Sequence, residues 1–553
     1  MMNTRKHFFA PILVGALALA GPAAAQGIPF GESGLTLTGS LQSDILVPQD
    51  DAAIGTEKYA GDVVTNSYLD LALAYKEYLT VGARLEYLDY PLPGFENDFA
   101  GWGVPYFYLT GRCKWGELTL GDFYDQFGSG LIFRTYEERS LGIDNSLRGA
   151  RAVLRPVNGL NIKLLGGKQR RYWEHNDSWV WGADAELNID QWSKRMQENG
   201  TVWMLGGSYV SKYEQASNMY GYIPGVDGGE GTIYRYNLPE VVPAFDVRTQ
   251  FQKSGFNVLA EYAWKINDPS FDNNYSYDKG TAALLSASYS RRGMSILVQA
   301  KRSENMSYRS ARDMTGTSSF INHLPAFAYQ HTYALPALYP YATQPLGEWA
   351  YQAEFTYNFR RRTTLGGRYG TNLKVNFSHI RALHKDEIPQ GGEDATYYQD
   401  INVTLEKKWT KDFKTILMYM NQRYNQQVVE GHNNNGMMVK SNIYVFEGQY
   451  HFNKKLALRM ELQYLNTKQD QGDWLYGLLE FSVNPSWMIT VSDMYNAGET
   501  NLHYYQAAVT YTHAAHRLQA GYARTRAGYN CSGGVCRYVP ASKGVQVSYN
   551  FSF

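Results

Sequence analysis

The sequence predicts one large antiparallel transmembrane β-barrel, all-β, of about 24 strands with a range of roughly 18 to 26. Three observations predict it. Apolar and polar residues alternate with a period of two from near the start of the chain to its last residue. The connections between the alternating runs sort into a short set and a long set. The final run alternates aromatic and polar residues and ends on Phe553.

The periodicity begins with Leu35, Leu37, Gly39 and Leu41, which alternate with Thr36, Thr38, Ser40 and Gln42. Leu69, Leu71, Leu73 and Tyr75 follow, then a turn at Lys76 and Glu77. Leu79, Val81, Ala83, Leu85 and Tyr87 return opposite Thr80, Gly82, Arg84 and Glu86. This is a hairpin with one apolar face. The unit recurs through Phe245, Val247 and Phe251, and through Leu456, Leu458, Met460 and Leu462 opposite Arg459 and Glu461. A strand charged on one face and apolar on the other needs water on the first side and an apolar medium on the second.

Short connections fall at 114–116, 156–159, 253–255, 291–293, 453–455, 484–486 and 513–516. Long ones fall at 47–63, 91–103, 126–145, 215–242, 305–346 and 527–540. Short turns at one end and long loops at the other are the asymmetry of outer-membrane barrels. A soluble sandwich or propeller has no reason to sort its loops by length.

Residues 1–25 read as a secretory signal: Arg5 and Lys6, an apolar run from Phe8 to Ala20, then Ala23, Ala24 and Ala25 before Gln26. The barrel is expected over 26–553. Val545, Val547, Tyr549, Phe551 and Phe553 alternate with Gln546, Ser548, Asn550 and Ser552. This run resembles the C-terminal strand by which outer-membrane barrels are recognised, so the barrel-assembly machinery and outer-membrane lipid are the expected partners, and the cell outer membrane the expected location. With about nine residues expected between the signal and the first strand, the N-terminal plug of a TonB-dependent receptor is not expected.

Lys and Arg number 52 against 52 Asp and Glu, a balance that leaves no footprint for nucleic acid. After the signal no apolar run reaches the roughly 18 residues of a membrane-spanning helix. Tyr (45) and Trp (12) suit strands and the aromatic girdles at the two headgroup levels. Cys531 and Cys536 flank Ser-Gly-Gly-Val and fit a loop disulfide; as a two-thiol metal site they lack partners. Cys113 reads as inert packing. The histidines are scattered and neither HExxH nor GxSxG occurs, so no metal, cofactor or catalytic residue is assigned and no enzyme is expected.

Two segments break the pattern. In 121–145, Gly128 and Gly130 let the backbone bend, and Arg134, Glu137, Glu138, Arg139 and Asp144 bring both charges together, followed by Arg148 and Arg151. Folded inward, these seven residues form a constriction with an ion preference. The alternative is an ion-paired structural loop, the commoner fate of such charges. This run and the one at 531–540 resemble an outer-membrane barrel family of the Bacteroidetes group that lacks an assigned function, a resemblance that supplies a fold and a location but no substrate. In 305–346, aromatic residues and four prolines fit a folded cap in the barrel mouth better than a loop in water, or a platform for a surface protein or glycan.

A barrel of this width is not filled by wall side chains alone, so it is either an aqueous channel or filled by loops. The expected function is a porin-like or loop-gated channel for polar solutes; the alternative is a non-transport binding or assembly component of a secretion or surface-export machine.

Overall fold

A computed structural model describes residues 27–30, 33–56, 61–223, 231–384, 395–431 and 438–553. The expected signal at 1–25 and its boundary at Gln26 lie outside the described residues. The chain forms a closed antiparallel barrel of 24 strands. Two short strands, Ile28–Pro29 and Glu174–His175, pair at its edges.

The first eight barrel strands are β1 (Leu35–Pro48), β2 (Val64–Tyr75), β3 (Leu79–Leu88), β4 (Gly101–Cys113), β5 (Gly116–Phe123), β6 (Leu147–Leu154), β7 (Leu160–Arg171) and β8 (Trp179–Asn188). Then come β9 (Val202–Tyr213), β10 (Val241–Lys253), β11 (Phe256–Lys265), β12 (Gly280–Arg291), β13 (Met294–Glu304), β14 (Gly347–Phe359), β15 (Thr371–Arg381) and β16 (Thr396–Lys408). The last are β17 (Phe413–Asn425), β18 (Met438–His451), β19 (Leu456–Thr467), β20 (Trp474–Val483), β21 (Trp487–Asn496), β22 (His503–His513), β23 (His516–Thr525) and β24 (Ser542–Ser552). Each pairs with its sequence neighbour, and β24 closes the circle on β1 from Ser40 opposite Ser552 to Pro48 opposite Gly544. Closure leaves the barrel no edge strand to pair with another chain.

The alternation maps onto two surfaces. Val81, Leu118, Val247, Val298, Leu417 and Leu462 are all exposed on the outside. Arg84, Glu86, Asp184, Arg248, Glu261 and Lys301 are buried inside. Such a wall meets an apolar medium outside and polar groups inside. Trp115, Trp192 and Trp409 are exposed at the turn end, and Trp102 and Trp179 at the loop end, as an aromatic belt requires.

Loop lengths sort less strictly than expected. At the turn end, 189–201 folds into a 3-10 turn (Ile189–Trp192) and a short helix (Lys194–Glu198) capped by Ser193, and 360–370 is also long. At the loop end, 468–473 and 497–502 are brief. Cys113 ends β4 and is exposed, not packed, because its strand runs out at the turn. Cys531 and Cys536 are joined in a disulfide across a two-stranded hairpin, Gly528–Ser532 with Val535–Val539.

Candidate functional site

The loop-end half of the lumen is filled by the chain itself. Phe127, Leu131, Ile132 and Phe133 from loop 124–146 meet Met306, Tyr308, Ile321, Phe327, Leu335 and Leu338 from loop 305–346. Both pack on inward wall residues such as Val180, Val210, Ala263, Ala350, Met420 and Ile443. Burying each large apolar side chain contributes about 1.5–3 kcal/mol before ordering costs, so this is a folded core rather than a loose obstruction. The cap reading of 305–346 describes this placement for Tyr308, Phe327, Tyr339 and Tyr341, which are buried, whereas Tyr329 is exposed at the mouth.

Polar groups of the wall grip the two loops. Lys212 on β9 donates to the Arg309 carbonyl at 2.7 Å, Lys265 on β11 to that of Ser307, and Lys301 on β13 to that of Pro325 at 2.5 Å. Asp268 pairs with Lys212 at 3.0 Å and Lys265 at 3.3 Å, and Glu348 with Lys301 at 2.8 Å. On β11, the strand of Lys265, the Glu261 carboxylate accepts from the backbone N–H of Ser129 at 3.0 and 3.1 Å. Gly128 sits beside it with φ +51°, where an added Cβ would lie 2.6 Å from that carboxylate. These lysines and Glu261 escaped the sequence reading. A charge at an inward position on the loop-end half of a strand meets water or a loop according to whether the lumen is filled, which its own segment does not reveal.

The seven residues of the expected constriction fall into separate places. Glu137, Arg139 and Asp144 join wall residues in one ion-pair network. Arg84 pairs with Glu86 at 2.8 Å, with Glu137 at 2.8 Å and with Asp144. Arg170 reaches Glu86 at 2.7 Å and Asp144 at 2.6 Å, and Arg139 reaches Glu137 at 2.6 Å and Asp70 at 2.8 Å. Burial alone would raise the Asp144 carboxyl, but Arg170 and Arg84 outweigh it and hold it below the usual range. At Glu137 burial prevails over Arg84 and Arg139, and its carboxyl is raised.

Arg151 bonds Glu117 at 2.6 Å and also Asp125, tying loop to wall. Arg134 stacks on Tyr136 at 4.5 Å, and its backbone N–H donates to the Ile321 carbonyl at 2.8 Å. Glu138 accepts from the backbone of Ser140 at 3.2 Å and is turned to solvent. Arg148 lies on the outer face of β6, in register with exposed Leu154, paired with Asp122 at 2.8 Å. No single ring gathers these residues. The charges tie strands to loop.

Two spaces remain. A cavity of about 390 Å³ lies against the seam strands, walled by Asp44, Gln506, Gln519, Gln546 and Ser548 and roofed by Leu92, Pro93 and Val539. A cleft of about 260 Å³ at the mouth lies between the 305–346 loop and the disulfide hairpin, lined by Tyr329, His331, Tyr339, Tyr341 and Tyr529. The hairpin is held there by Thr343 N–H to the Gly534 carbonyl at 2.9 Å and by the Gln330 amide to the Cys531 carbonyl at 3.3 Å. Among the described residues no cluster of three or more His, Cys, Asp or Glu is placed to hold a metal.

The model of a family of unknown function, DUF6029, matches residues 7–553. A search of curated proteins finds no match. Among solved structures, the siderophore receptor PirA from Pseudomonas aeruginosa is similar at 9% identity and a TM-score of 0.41, covering 94% of this chain and 80% of that one. The P pilus usher PapC translocation pore is similar at 10% identity and a TM-score of 0.39, covering 94% and 99%. Acinetobacter baumannii OccAB3 is similar at 8% identity and a TM-score of 0.36, also covering 94% and 99%.

Proposed function

The chain belongs to this family of unknown function, and we propose that it works as a loop-gated outer-membrane channel for polar solutes, closed in the conformation described above. The exposed apolar wall and its aromatic belts support residence in a bilayer, with the turn end in the periplasm and the loop end outside. The observation that carries the channel reading is the seam cavity. Elsewhere in the loop-end half, loops bury apolar side chains against the wall. Along β22, β23, β24 and β1 the wall sets Asp44, Gln506, Gln519, Gln546 and Ser548 among apolar groups such as Leu46 and Ala508, and faces unfilled space. From the loops, Leu92, Pro93, Arg526 and Val539 border it, so a displacement of loop 89–100 and of the loop that carries the disulfide hairpin opens a lane with polar groups without unfolding the main core. Such a lane suits small polar solutes and needs no reaction chemistry of the protein. We read β24 as the strand that the barrel-assembly machinery engages.

Planar-bilayer conductance of the purified protein tests the reading. The whole chain should be closed or nearly so, and deletion of 528–539 should give a steady ion current. Silence after that deletion and after deletion of 305–346, in a protein that still migrates as a folded barrel, would remove the channel.

A second reading is a surface-binding component, favoured by the tyrosine-lined mouth cleft, which faces outward and is not part of the seam lane. Cross-linking from native membranes separates the two, since a binding component is recovered with a partner.

A further inference from the structure

Charge at the periplasmic rim is concentrated on one arc. Turn 360–370 holds four arginines, Lys407, Lys408, Lys411 and Lys414 border turn 409–412, and turn 452–455 adds two lysines. Against them stand only Glu406 and Asp412 along these three turns. The turns belong to consecutive hairpins and stand about 10 Å apart, two strand spacings each. Part of this charge is internally paired: Lys414 lies 3.4 Å from Glu406, and Lys411 lies 4.0 Å from Asp412.

Between the first two turns is a cavity of about 690 Å³, lined by Arg368, Tyr369, Thr410, Lys411, Phe413 and Tyr450, and by one carboxylate, Asp412, which Lys411 faces at 4.0 Å. The cations around it are held against aromatic rings. Lys407 lies 4.6 Å from the Trp409 ring centroid, and Arg368 lies 5.5 Å from that of Tyr369. The same three turns leave apolar side chains in the open: Leu365 is 62% exposed, Phe452 55% and Trp409 52%. Phe413 and Tyr450 are paired on the outer face of β17 and β18, in line with lipid-facing Leu417 and Tyr444.

We propose that this cleft binds the phosphate headgroup of an anionic phospholipid in the inner leaflet of the membrane. Clustered Lys and Arg at a membrane surface attract anionic headgroups, and aromatic rings sit at the same level. The exposed apolar residues decide between lipid and a soluble acidic protein. Leu365, Trp409 and Phe452 would be left in water beneath a polar partner, whereas acyl chains lying along Phe413 and Tyr450 cover that face. Arg368 and Lys411 supply the charge on the phosphate, and the Thr410 hydroxyl a further donor. The inference rests on residence in a bilayer and is independent of channel activity.

Native mass spectrometry of the full chain, released from vesicles holding equal phosphatidylglycerol and phosphatidylethanolamine, tests it. Wild type should retain phosphatidylglycerol over phosphatidylethanolamine by about tenfold, and R368Q/K411Q should fall to near parity. R291Q/R292Q, on a cationic turn outside this arc, should keep the wild-type preference. Equal retention of both lipids by wild type, an unchanged preference in R368Q/K411Q, or the same loss in both variants would each overturn the site. Heat-modifiable gel migration verifies that each variant is folded. Failure of wild type to insert into neutral vesicles would instead overturn the bilayer reading.

Discussion

The ammonium of Lys301 lies 2.8 Å from the Glu348 carboxylate, and its other close partner at 2.5 Å is the carbonyl of Pro325, in the middle of the inward loop. A wall residue thus spends a buried charge on holding a loop. Glu348 in turn accepts from the hydroxyl of Tyr341 and, at 2.9 Å, from the backbone of Gln344. Removing one partner of a buried pair costs about 3–5 kcal/mol, because the other charge stays buried and uncompensated.

Lys301→Met should therefore loosen loop 305–346 while leaving the barrel closed. Limited proteolysis checks it, with cleavage within 305–346 expected to accelerate at least tenfold and heat-modifiable migration to persist. Unchanged resistance would show that apolar packing alone holds the loop.

The barrel was legible because lipid outside and polar groups inside impose a period of two on every strand, so Leu456 to Leu462 opposite Arg459 and Glu461 could hardly be anything else. The placement of 305–346 was half legible: its many aromatic and aliphatic side chains, with four prolines, demand burial but do not say against what. The wall grip was not legible. Nothing local marks Lys212 or Lys265 as anchors, since their partners Arg309 and Ser307 lie far along the chain. The dispersal of the seven charges was hidden for a related reason. Arg148 and Arg151 differ in parity on one strand, so opposite faces claim them, and only the register of β6 shows which.

His323 gives the loop a dependence on acid. It is buried between the two inward loops, its backbone N–H bonded to the Gly130 carbonyl at 2.9 Å and its ring 5.9 Å from that of Tyr136. Burial, then Arg134 and Lys301, push its imidazole down to about 3 from the usual 6.5. A depressed histidine favours the fold while it is neutral. That contribution is complete above about pH 6.5 and is lost as pH falls toward 3. Protease sensitivity of 305–346 should rise on acidification through this window, and His323→Gln should flatten that rise. An equal rise in the variant would assign the effect to the wall carboxylates instead.

Cys531 and Cys536 close a small loop, for which chain entropy predicts a contribution of roughly 2 kcal/mol to the order of the hairpin. The hairpin roofs both the seam cavity and the mouth cleft through Val539 and Gly533. Reduction, or Cys531→Ser with Cys536→Ser, should raise conductance in planar bilayers without altering barrel migration. A current unaffected by reductant would free the disulfide from any part in gating.

The chain's last residue binds its first barrel strand. The backbone of Phe553 exchanges hydrogen bonds with Gly39, its carbonyl accepting from the Gly39 N–H at 3.0 Å and its own N–H donating to the Gly39 carbonyl at 2.9 Å. Its ring packs with Leu41 and Phe551, filling the space above Gly39, where an added Cβ would come within 2.7 Å of the ring. Gly39→Ala should therefore displace Phe553 and weaken closure, while Phe553→Ala should empty the same site, at a cost of about 3–5 kcal/mol for a truncated buried phenyl. Both variants should lower the fraction that reaches the heat-modifiable folded form. The double variant should be less impaired than the sum, because the alanine methyl then occupies room the phenyl has vacated. Strict additivity would mean that the two residues act separately, and the seam would have to be held from β1 and β24 alone.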